Sequence, residues 1–152
     1  MVERVTTQDI PAICTLYKRI WDPAPAGVPP EIAKAWIPTP LEFTSWMEGV
    51  TYFLTRRDGK LIGILGVEVR RGSGRLVHLA VDPDHRRQGV ASALILAAVD
   101  WAKRSNATSV WVDALGRFGN ATALFKRLGF AEAGLLHKHE WGEDVRFFER
   151  LL

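Results

Sequence analysis

The chain has 152 residues, 47% of them apolar and 24% charged, with a net charge of +3 at pH 7 and a pI near 9.3. That length suits one compact domain spanning residues 1–152 rather than two separate cores, and the composition excludes both a disordered chain and a membrane-embedded one. A single cysteine, Cys14, excludes an internal disulfide and a cysteine-rich metal site, and the scattered arginine pairs exclude a basic nucleic-acid arm.

In chain order, Glu3 to Thr7 reads as a short strand, and Thr7-Gln8-Asp9-Ile10-Pro11 supplies capping residues with a proline in the first turn of a helix. Ile10, Ile13, Leu16, Tyr17 and Ile20 recur at helical spacing and carry that helix to about Trp21. From Asp22 to Pro40 six prolines predict a long ordered loop with a short turn near Glu31 to Trp36. Leu41 to Glu48 is a short helix ended by Gly49.

Three antiparallel strands follow: Thr51 to Thr55, Leu61 to Val69 after the Asp58-Gly59 hairpin signal, and Leu76 to Val81 after Gly72-Ser73-Gly74. Val90 to Arg104 places Val90, Leu94, Ala97, Ala98 and Trp101 on one helical face. Although apolar-rich as far as Ala102, it is too short to cross a bilayer, and no charged-then-apolar leader opens the chain, so a cytoplasmic protein without membrane partners is expected. Ser109 to Ala114 is a strand, Ala121 to Leu128 an amphipathic helix ended by Gly129, and the segments around Leu135 and from Val145 to Leu152 are closing strands. This order predicts an α/β or α+β fold with a mixed sheet of six to seven strands covered by about four helices.

The segment richest in chemistry begins where a strand ends at Val81-Asp82-Pro83 and runs through Asp84-His85-Arg86-Arg87-Gln88-Gly89-Val90-Ala91 into a helix. Amides of such a turn converge at a helix N-terminus and bind anions, and a diphosphate fits. Gly89 permits close approach of backbone to ligand, and Arg86 and Arg87 add charge, or form a solvated pair beside an ordinary turn glycine. Neither a Walker loop nor G-x-G-x-x-G is present, so nucleotide hydrolysis and dinucleotide binding lack support.

Arg86-Arg87-Gln88-Gly89-Val90-Ala91 resembles the signature of the GNAT family of N-acetyltransferases, an Arg or Gln, two variable residues, Gly, one variable residue, and Gly or Ala. Ala123-Leu124-Phe125-Lys126-Arg127-Leu128-Gly129-Phe130 is similar to the family's second cofactor motif, and both stand in the family's order. The resemblance implies a strongly bent sheet in which the strands Leu76 to Val81 and Ser109 to Ala114 splay apart. Acetyl-CoA, the co-substrate, would lie with its pantetheine in that gap. Backbone groups of Leu79, Ala80 and Val81 would pair with the pantetheine, and amides from Arg87 through Gln88, Gly89, Val90 and Ala91 to Ser92 would hold the pyrophosphate.

Acetyl transfer to an amine needs acceptance of a proton and stabilisation of the departing thiolate. His78 and Glu68 interrupt apolar runs near the splay and are the candidate bases; a core histidine and a solvent-facing glutamate are the alternatives. In many relatives a tyrosine four residues before the second-motif glycine protonates the thiolate. Phe125 stands there, so water, Ser92 or Tyr52 would have to serve, or the chemistry is weakened. The family's cofactor-contacting asparagine falls at Phe118, with Asn120 the nearest asparagine, either a cofactor contact or a helix N-cap.

Trp36, Trp46 and Trp141 are candidates for an apolar acceptor wall, and the His137, His139 and Glu140 cluster lacks persuasive zinc spacing, so no metal is expected. The expected function is acetyl transfer to a primary amine of a small molecule or peptide by a monomer or homodimer. The alternative is a catalytically silent acyl-CoA sensor.

Overall fold

The first helix, α1 (Ile10–Trp21), forms where the helical stripe was read, and all five of its apolar stripe residues are buried. The computed structural model, which describes residues 1–115 and 119–152, departs from the sequence reading in the proline-rich stretch. A helix, α2 (Pro30–Ala35), stands where a short turn was expected, while α3 (Pro40–Trp46) falls on the expected Leu41–Glu48 helix, starting one residue earlier and ending two residues sooner. Each begins on a proline, because that residue's missing N–H and fixed φ suit a first helical turn even as they break an interior. Thr39 caps α3: its hydroxyl accepts from the Glu42 amide at 3.1 Å, while the Thr39 amide donates to the Glu42 carboxylate at 3.2 Å. Val28, Ile32 and Ala33 fold α2 against Trp21 and Trp36, whose rings lie 4.6 Å apart.

The strands β1 (Val2–Arg4), β2 (Thr51–Arg57), β3 (Lys60–Arg70), β4 (Ser73–Val81), β5 (Ser109–Leu115), β6 (Ala131–Glu140) and β7 (Glu143–Leu151) form one sheet. Their spatial order is β1-β2-β3-β4-β5-β7-β6. Ser73 already pairs with Arg70, so the β3–β4 turn is tighter than the Gly72-Ser73-Gly74 reading. Every pairing is antiparallel except β4 with β5, which the long helix α4 (Val90–Arg104) connects. A last helix, α5 (Gly119–Arg127), leads to Gly129, whose positive φ ends it.

Both faces of the sheet are covered. Phe53, Ile62, Leu65 and Val67 pack with α4 residues Leu94, Ile95 and Ala98, whereas Tyr52, Leu54 and Ile64 pack with Ile13, Leu16 and Phe43 of α1 and α3. This burial on two sides explains why β3 reads as an almost unbroken apolar run.

The crossover helix sits close on β3 because Gly63 has no side chain there. A Cβ at that position would come within 2.6 Å of Val90 and 3.0 Å of Leu94. Substituting Gly63→Ala therefore has to displace the first turn of α4, and we expect a loss of about 1–3 kcal/mol, read as a lowered urea midpoint. An unchanged midpoint would show that α4 can shift at no cost.

Candidate active site

β4 and β5 are hydrogen-bonded over only three rungs, Ser73 with Ser109, Gly74 with Val110 and Arg75 with Trp111. Beyond Arg75 and Trp111 the strands part, as expected for the Leu76–Val81 and Ser109–Ala114 segments. A cleft of about 450 Å³ opens in the gap, lined by Leu76 to Leu79 of β4, Val112 to Leu115 of β5 and Phe125 beneath them. Its other wall is built from Tyr17, Trp21, Trp36, Val50 and Glu140.

A bulge in β4 shapes this cleft. Val77 faces Gly66 and Ala80 faces Ile64, so two residues of β4, His78 and Leu79, oppose the single Leu65. His78 adopts φ +59°, a left-handed conformation that normally destabilises a non-glycine residue by about 1–3 kcal/mol. Three contacts hold it there. The Tyr17 hydroxyl donates to the His78 carbonyl at 2.6 Å, the Tyr52 hydroxyl meets Nδ1 at 2.6 Å, and the imidazole stacks on Trp46 with centroids 4.1 Å apart. Burial, reinforced by the Arg75 charge, pulls the His78 pKa down to about 4, so the ring is neutral at pH 7. Burial also raises both phenols, Tyr17 and Tyr52.

Two carboxylates of the cleft, Glu68 and Asp113, are paired. Glu68 meets Arg70 at 2.8 Å and its side chain is 23% exposed, so it is neither free in solvent nor sealed in the core. Asp113, which the sequence reading passed over, meets Arg75 at 3.3 Å, and the Arg75 guanidinium lies over the Trp111 ring. The signal for Asp113 was a lone acid in the apolar run Val110-Trp111-Val112, two residues beyond the last rung.

At the C-terminal end of β4, the turn that precedes α4 is anchored by Asp82, which is completely buried. Its carboxylate accepts from Arg19 of α1 at 2.7 Å and from the Asp84 amide at 2.9 Å, and Lys60 lies at 3.4 Å. Arg86, Arg87, Gln88 and Gly89 are exposed, with Arg87 and Gly89 both at positive φ. A Cβ at Gly89 would meet no atom within 4 Å, so the turn has an open face there. The first helical amide bond is Ala93 to Gly89, at 3.0 Å, and the amides of Val90, Ala91 and Ser92 precede it. Val90 and Ala80 bury their side chains in the core, leaving only backbone to offer a ligand.

Several expectations change in detail. Phe125 is buried against Phe130 and Phe148 at 5.7 and 5.5 Å while lining the cleft. Asn120 is the second residue of α5 and exposed; Phe118 lies outside the described residues. Trp36 lines the cleft, Trp46 backs His78, and Trp141 is exposed at the β6–β7 turn. His137 pairs with Asp144 at 3.4 Å.

The profile of the acetyltransferase (GNAT) family matches residues 12–130. Among curated proteins, the ribosomal protein bS18 alanine N-acetyltransferase of Escherichia coli (strain K12) is 31% identical over 94 residues, which cover 62% of this chain and 64% of that enzyme. N-acetyltransferase 8B of Homo sapiens is 28% identical over 103 residues, 64% of this chain and 45% of that protein. The chain thus spans less than two thirds of these relatives. The solved Escherichia coli ribosomal-protein alanine N-acetyltransferase superposes with a TM-score of 0.80 at 24% identity, covering 99% of this chain and 92% of that one. The PaiA N-acetyltransferase of Thermoplasma acidophilum, solved in complex with coenzyme A, gives 0.82 at 14% identity, with 100% and 98% covered.

The low proton affinity of His78 bears on stability. Between the ordinary histidine value of about 6.5 and about 4, the unfolded chain takes up a proton that the folded chain refuses. The contribution is complete above pH 6.5 and disappears as pH falls through that window. Urea midpoints should therefore fall more steeply from pH 6.5 to 4.5 in the wild type than in His78→Gln. Parallel profiles would mean that His78 titrates normally.

Proposed function

The chain belongs to the GNAT acetyltransferase family, and we propose that it transfers the acetyl group of acetyl-CoA to a primary amine of a peptide or small molecule, the amine attacking the thioester directly. The observation that carries this reading is the continuity of β4. The strand leads from the parted β5 edge, past His78, into the turn whose open face and early helical amides suit a pyrophosphate. The residues present fit acetyl-CoA, which supplies the activated thioester.

Within that reading, amides from Arg87 to Ser92 grip the pyrophosphate and the free edge of β4 at Leu79 to Val81 receives the pantetheine. The amine must shed a proton. His78, neutral and of low proton affinity, is a poor acceptor, so support among the candidate bases moves to Glu68, joined by Asp113. Trp21, Trp36 and Val50 offer the acceptor an apolar wall. One relative acetylates an alanine of ribosomal protein bS18, which makes peptides with a free α-amine the first acceptors to try.

Phe125 favours a second reading, a silent acyl-CoA sensor, because the buried ring offers no proton to a thiolate. Titration calorimetry with acetyl-CoA, followed by thiol release against peptides and small amines, separates the two. Binding with release is expected; binding without release from any acceptor supports the sensor. In Gly89→Trp we expect acetyl-CoA binding to be lost while the melting temperature stays within a few degrees, since the added Cβ meets no neighbour and adverse φ contributes only about 1–2 kcal/mol. Unchanged affinity would remove the reading.

A further inference from the structure

The Tyr52 phenol is buried and has Nδ1 of His78 as its hydrogen-bond partner, at 2.6 Å. If the imidazole carried its proton on Nδ1, that phenol would have to accept, and its own proton would be left without a partner in the core. The phenol therefore donates, Nδ1 is the acceptor, and the proton of the neutral ring resides on Nε2.

Nε2 has no partner among the described residues, yet it is absent from the atoms sealed away from solvent without one. Trp46 covers one face of the ring and Tyr52 occupies Nδ1, which leaves the Nε2 edge as the free polar edge of a residue that lines the cleft. Resting on the acetyl-transfer reading, the pantetheine follows β4 back from Val81 to Leu79, which brings the thioester beside residue 78.

We propose that His78 acts as a neutral hydrogen-bond donor, its Nε2–H aimed at the thioester carbonyl oxygen, and that Tyr52 is the positioning residue that fixes this tautomer. As the amine lone pair forms the C–N bond, the carbonyl π pair moves onto oxygen and is met by Nε2–H. As that pair returns, the C–S bond breaks with its electrons on sulfur. The proton shed by the amine passes to water or a cleft carboxylate and then to the thiolate, so His78 keeps its own proton and the protein ends unchanged. No protein acid is required at position 125. The low proton affinity that makes His78 a poor base keeps it in the donating neutral form.

The test combines a spectrum with kinetics. In the free protein at pH 7, nitrogen-15 NMR of labelled histidine, with His78 assigned by its absence from His78→Gln, should show protonation on Nε2; Tyr52→Phe should yield a mixture of tautomers. In thiol-release assays His78→Gln, which retains an N–H donor but no basic nitrogen, should stay within about tenfold of wild type. His78→Ala should lose about 100-fold in kcat with little change in KM for acetyl-CoA. Protonation on Nδ1 in the wild type, or equal losses in the Gln and Ala variants, would overturn the inference while leaving acetyl transfer intact. A wild-type chain that binds acetyl-CoA and acetylates no amine would instead overturn the acetyl-transfer reading, without altering the tautomer spectrum.

Discussion

The two tyrosine hydroxyls that grip His78 are what the rest of the cleft depends on. A parallel pair such as β4 and β5 has no reason of its own to separate after three rungs. The bulge at His78 bends β4 away, and the bulge survives an adverse φ because Tyr17 holds the carbonyl, Tyr52 holds the ring and Trp46 covers it. Opening the gap and orienting a polar side chain into it are thus one structural event.

Helix α1 links this event to the phosphate-type turn. Tyr17 reaches His78, and two residues later Arg19 reaches both Asp82 at 2.7 Å and Asp84 at 2.6 Å. A buried carboxylate needs such partners, since its burial opposes the charge while the Asp84 amide, Arg19 and Lys60 favour it, with a net lowering of its pKa. The same helix therefore fixes both ends of the C-terminal half of β4, the bulge and the exit into the turn. From the opposite face, Gly63 lets the first turn of α4 settle against β3. The turn and the cleft are thus tied to one another through both ends of this half of β4.

Much of this was legible from spacing. The α1 stripe, the strand-turn-helix around Gly89 and the terminating Gly129 are local features whose physics lies within a few residues. What escaped was set by distance or by position. Pro30 and Pro40 read as breakers because their sense depends on whether a helix has yet begun. Asp113 gained meaning only when β5 brought it to Arg75, 38 residues away in sequence. His78 stood out as a polar interruption of an apolar strand, but its bulge depends on the Gly66 register of β3 and on phenols from α1 and β2. That tertiary setting is what lowers the proton affinity of a residue read as a candidate base.

The charges of the site divide along the same line. At the turn, Arg86 and Arg87 stand exposed on an open face, where an anion gains from them before any close contact is made. In the cleft, Glu68 is matched by Arg70 and Asp113 by Arg75, and His78 is neutral, so these groups leave little net field. A weak field suits aminolysis of a thioester. A strongly acidic pocket would hold the amine as an unreactive ammonium, and a strongly basic one would compete with the amine for its place. In the proposed reaction, paired charges would permit the acceptor to enter and lose its proton at the rim. Discrimination between acceptors would then fall to the shape of the wall formed by Trp21, Trp36 and Val50, beside which Glu140 of β6 also lines the cleft.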